Sequence, residues 1–78
     1  MMNVSEALAI GNKNLNGAMG ERRYLAESEL KSARELADGG FNKWAMAYLV
    51  NSLKYSVGLD HPDYLEAKEF YESIPLFT

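Results

Sequence analysis

Residues Asn42 to Val57 read NKWAMAYLVNSLKYSV, and the fold turns on how that stretch is read. Trp44, Ala45, Met46, Tyr48, Leu49, Val50, Leu53, Tyr55 and Val57 recur at spacings that cover most of a helical circumference. Lys43, Ala47, Asn51 and Lys54 form the one mostly polar stripe, the side expected to stay wet. A helix apolar nearly all round is normally buried by neighbours on several sides. The segment at 47–50 is β-compatible in isolation, but it lies inside the longer helical pattern, and no strand is expected. Asn42 is a good N-cap, and Gly58 suits the left-handed position that ends a helix.

Three further helices surround this one. Asn3 and Glu6 have capping-box spacing, and Val4, Ala7, Leu8 and Leu15 follow at helical intervals. Gly11 weakens that helix by ~1 kcal/mol relative to alanine. The turn formers from Asn12 to Gly17 are expected to keep it short. A second helix is expected from Glu21 to Asp38, with Ala26, Leu30, Ala33 and Ala37 along one side and Leu25 and Leu36 widening the stripe. Arg23, Glu27, Lys31 and Glu35 mark its solvated face. Gly39 and Gly40 end it. The last helix starts at Asp60-His61-Pro62-Asp63, capped by Asp60 or His61 with proline in the first turn. Tyr64, Ala67, Phe70, Tyr71 and Ile74 form its apolar face, and Pro75 stops it. The expected fold is therefore all-α: a small antiparallel helical bundle of three to four helices, with residues 1–78 as one domain.

Composition narrows the function. The chain has 78 residues, 47% hydrophobic and 24% charged, with a net charge of −3 and no cysteine. A domain of this size buries only ~60–65% of its unfolded surface, so helix packing or association must supply its stability. Disulfides and thiolate metal sites are excluded. The charge argues against direct nucleic-acid binding, and no basic cluster exceeds Arg22–Arg23. No apolar run approaches the ~18–20 residues that span a bilayer. The start MMNVSEALAIG lacks the basic region of a secretory signal, so the cytoplasm is the expected compartment.

Catalysis is not expected. His61 is the single histidine, and capping accounts for it together with Asp60 and Asp63, so no metal or other cofactor is expected. The serines are scattered outside any nucleophile context. Gly17-Ala18-Met19-Gly20 precedes Glu-Arg-Arg, which makes it a turn and not a phosphate loop.

The stretch from Ala33 to Pro62 combines a helix, a turn at Gly39-Gly40-Phe41, a second helix and an Asp-x-Pro start to the next. In this it resembles a tetratricopeptide helical hairpin, which implies a helical scaffold for peptides. Downstream positions fit after a one-residue shift, the proline falls late and no second repeat is detectable. The chain is therefore not assigned to that family.

Two surface signals remain. Seven of the nine aromatic residues lie between Phe41 and Tyr71. Tyrosine and tryptophan suit interfaces as well as cores. Asp60, Asp63, Glu66, Glu69 and Glu72 recur every three residues along the last helix. The expected function is a non-enzymatic protein–protein interaction module that binds and regulates or inhibits a larger protein, as a phage-type small inhibitor does, and that forms a homodimer. The expected contact residues are Trp44, Tyr48, Tyr55, Asp63, Glu66, Glu69, Glu72 and Phe77, against a protein partner with a basic surface. The alternatives are a structural or chaperone-like subunit of a larger assembly, or an acidic decoy of a nucleic-acid-binding protein.

Overall fold

The structure, a computed structural model, describes residues 2–76. Four helices follow one another: α1 (Val4–Leu15), α2 (Gly20–Asp38), α3 (Asn42–Ser56) and α4 (Pro62–Ser73). The chain is all-α, and no described residue lies in a strand. α3 packs against each of the other three helices, most extensively against α2. Its inner side, Ala45, Met46, Leu49, Ser52 and Leu53, is fully buried. Leu30 and Ala33 of α2, Ala7 and Leu15 of α1 and Tyr64 and Ala67 of α4 close around that side.

The helix ends follow local chemistry. Asn3 accepts the Glu6 N–H at 2.8 Å while Glu6 accepts the Asn3 N–H at 3.1 Å, so the capping box forms. α2 ends in a Schellman motif. The Phe41 N–H reaches the Leu36 carbonyl (2.9 Å), the Gly40 N–H reaches the Ala37 carbonyl (3.0 Å), and Gly40 takes φ +85°. At α4, His61 Nδ1 accepts the Asp63 N–H at 3.0 Å and Pro62 opens the first turn. α3 differs from expectation. Phe41, not Asn42, is its N-cap, and no side chain caps it. The Schellman turn already fixes the chain direction there, so Asn42 becomes the first helical residue.

Two expectations about α1 are revised. The helix runs unbroken through Asn12, Lys13 and Asn14 to Leu15. Asn14 donates to the Ile10 carbonyl at 2.9 Å and to Asp63 Oδ2 at 2.9 Å, so a residue read as a turn former holds α1 to α4. Gly11 is a point of close approach. A Cβ added there would lie 3.0 Å from Leu49 Cδ2 and 3.1 Å from Leu30 Cδ1. The missing side chain lets α1 sit directly on the core, which offsets the propensity loss that the sequence suggests.

α2 and α3 form an antiparallel hairpin whose register is fixed at three levels. The Arg22 Nε–H donates to the Tyr55 carbonyl (3.0 Å) at one end, and the Leu36 carbonyl meets Phe41 at the other. Between them the buried Ser52 hydroxyl donates to the Ala26 carbonyl at 2.7 Å. Ser52 is the one polar residue among those described as buried, and this bond satisfies it.

Candidate protein-binding face

The wet side of α3 is only partly the one its polar stripe marks. Lys43 is half-buried. Its Nζ lies 3.8 Å from the centre of the Tyr71 ring and donates to the Tyr71 carbonyl at 2.6 Å. The ammonium therefore ties α3 to the end of α4, with its stem along apolar surface and its charge on a π face and a carbonyl. Asn51 and Lys54 are exposed as expected.

The aromatic residues take the open side instead. Trp44 is 58% exposed, Phe41 56% and Tyr48 36%, and Tyr55 is half-buried. With Asn51 these residues follow a 3-4-3-4 spacing, Phe41, Trp44, Tyr48, Asn51 and Tyr55, which lays a straight seam along a helix. The seam is legible because the inner residues repeat in the same way one step away. A helix with two apolar seams covers only one when three small helices share the packing.

α2 carries a matching row. Leu25, Glu29, Ser32 and Leu36 stand at spacings of four, three and four, and all four are half-buried. Given the hairpin register, Leu36 lies beside Phe41 and Glu29 beside Tyr48. Two ridges thus run side by side along the outer face of the hairpin. One carboxylate oxygen of Glu29, Oε2, is buried and has no hydrogen-bond partner among the described residues. From the sequence, Leu25 and Leu36 only widen the apolar stripe of α2, and the row is not marked as a contact surface. Its signal, a second 3-4 repeat next to the core repeat, is present there but is diluted by Glu29 and Ser32.

Asp63, Glu66 and Glu69 have other neighbours than this face. Asp63 is held within the molecule: its Oδ2 accepts from Asn14 and lies 3.5 Å from Lys13 Nζ. The Asn14 hydrogen bond, aided by the Lys13 charge and opposed by partial burial, holds its carboxyl below the ordinary aspartate range. Glu66 and Glu69 line a cleft of about 540 Å³ between α4 and α1, with Ile10 and Phe70 on its apolar side and Glu6 opposite. Glu72 is exposed. No α3 residue lines that cleft. Glu66 and Glu69 therefore line a different cleft from the α3 aromatics. Phe77 lies outside the described residues.

A second cleft, about 530 Å³, runs between α1 and α2. Arg23, Lys31 and Arg34 gather there with Glu27 among them, and Arg34 donates to Asn12 Oδ1 at 2.8 Å. No group of three or more His, Asp or Glu residues is placed to hold a metal ion among the described residues. No helix is long and apolar enough to cross a membrane among them.

Comparison with protein-family models, with curated proteins and with solved structures finds no match, so the tetratricopeptide resemblance gains no support and the reading of function rests on this geometry alone.

Proposed function

We propose that the chain is a non-enzymatic protein-interaction module that binds through the outer face of the α2–α3 hairpin and thereby regulates or blocks the protein it engages. The observation that carries this reading is the exposure of Phe41, Trp44 and Tyr48 in one continuous row. Single exposed apolar residues are ordinary on a protein surface, but an aligned row of large aromatics is not, and such patches mark contact sites. Tryptophan and tyrosine supply large, rigid contact area and dominate interface energetics.

The separation of Glu66 and Glu69 from this row changes the partner's expected chemistry. The contact is apolar and aromatic rather than a basic surface drawn to carboxylates. The acidic-decoy alternative loses ground for the same reason, since Asp63 is consumed internally and Glu66 and Glu69 face a cleft beside α1.

A photo-crosslinking amino acid placed at Tyr48, and separately at Lys68 on the exposed side of α4, tests the reading in cells that produce the chain. Discrete adducts from position 48 and none from position 68 are expected. Equal yields from both positions would overturn it.

A further inference from the structure

We infer that the occupant of the aromatic face is a second copy of the chain, so that two α2–α3 hairpins form a four-helix bundle with α3 of each copy lying on α2 of the other. This rests on the reading above and names its partner.

The first argument is geometric. This face offers two parallel ridges, each with 3-4 spacing, on two antiparallel helices, so it can interdigitate with two helices at once. The surface that fits two such ridges is another pair like it, and interdigitated heptad-type seams are how four-helix bundles pack. A two-fold axis along the helices brings α3 of one copy over α2 of the other. Every neighbouring pair is then antiparallel, and one patch serves both copies.

The second argument is size. A stable interface covers ~800 Å² on each partner. That is about one sixth of the chain's 5012 Å² surface. The face spans α3, 15 residues or roughly 22 Å long, and α2, 19 residues or roughly 28 Å. Two of the four helices are thus available along one side.

The third argument is the stranded carboxylate. Glu29 is half-buried on the α2 ridge, and its Oε2 is shielded without a donor among the described residues; such an atom is costly until a side-chain turn brings it to a hydrogen-bond donor. Because Glu29 stands level with Tyr48, a second hairpin stacked in this way brings its own Tyr48 hydroxyl and Asn51 amide to the height of Glu29. Both are donors. Asn51, the one amide in the α3 seam, then fixes the register of the pair, as a single polar seam residue does in coiled coils.

Sedimentation equilibrium of the full chain across the micromolar range tests the inference. A mass of twice 8.8 kDa is expected at the upper end. Trp44→Glu should weaken the dimer ~30-fold or more with the helical circular dichroism unchanged. Tyr48→Lys should do the same, which guards against one variant misfolding. Because the chain has no cysteine, Glu29→Cys and Asn51→Cys chains can be mixed and oxidised. The mixed disulfide should predominate over either self-disulfide. A strict monomer at every concentration overturns the inference. So does a dimer that survives Trp44→Glu and Tyr48→Lys, because another face would hold it. Predominant self-disulfides overturn the stacking of α3 on α2. A strict monomer whose position 48 still crosslinks a different protein ends self-association and leaves the binding reading standing.

Discussion

The two long sides of α3 are both largely apolar and do different things. The inner side, Ala45, Met46, Leu49, Ser52 and Leu53, is sealed. The outer side, Phe41, Trp44, Tyr48 and Asn51, is open to water although it is the more aromatic of the two. Size decides between them. Alanine, serine and leucine allow α2 to come close enough for the Ser52 hydroxyl to reach a carbonyl of the opposite helix. A tryptophan on that side would hold the helices apart. The bulky aromatics are therefore displaced to the side where nothing in the chain must fit against them. Hydrophobicity alone would have buried the wrong side.

That contrast can be broken most severely from the inside. Leu49→Ala should cost ~2–5 kcal/mol, because Leu49 is fully buried in the core beside Gly11 of α1 and its truncation leaves a cavity there. Urea unfolding measures the loss, and a change under ~1 kcal/mol would mean that the inner side is not the core. Gly11→Ala comes next. It adds a methyl in contact with Leu49 and Leu30, both fully buried. Overpacking of ~1–3 kcal/mol outweighs the ~1 kcal/mol gained in helix propensity, so the variant should be modestly less stable. A more stable variant would show that α1 sits loosely on α3.

Asp63→Asn has a smaller, pH-dependent effect. The folded carboxyl titrates below its unfolded value of ~4. It therefore adds stability above that value and loses it as the pH falls through the depressed folded value. At neutral pH the substitution should cost about 1 kcal/mol or less, since Lys13 is well exposed and Asp63 partly so. The difference from the parent chain should vanish in strong acid. A constant difference across the acid limb would show that the carboxylate charge is not what joins α1 to α4.

The smallest effect belongs to the outer side. Trp44→Ser, measured at a concentration where the chain is monomeric, should change unfolding stability by only about ±0.5 kcal/mol. Its tryptophan counterpart in the parent chain should emit as an exposed indole when dilute and shift to the blue as concentration rises. A large stability loss in the dilute variant would place Trp44 in the core and erase the distinction between the two sides.

Much of the fold was legible from local rules. Asn3 with Glu6, Gly39-Gly40, Gly58 and His61-Pro62 each determine a helix boundary through backbone chemistry that acts within a few residues. Helical periodicity gave four helices and most of the core, Leu30, Leu49, Leu53 and Ala67 among them. The candidate face was half legible. Trp44, Tyr48 and Tyr55 were visible as aromatics in excess of what a small core needs, but their join to α2 rather than to the acidic helix was not. Periodicity tells how residues share a face and says nothing about which neighbour covers it.

What the sequence determined by itself was therefore the set of helices, their ends and their apolar rows, because those depend on spacing along one chain. Only the tertiary structure decided the rest. It turned Gly11 from a weakness into a contact, sent Lys43 onto Tyr71, drew Asp63 to Asn14 and left Phe41, Trp44 and Tyr48 uncovered. Each of those outcomes depends on how near two helices come, and that distance is set by side chains far apart in sequence that meet only when the chain is folded.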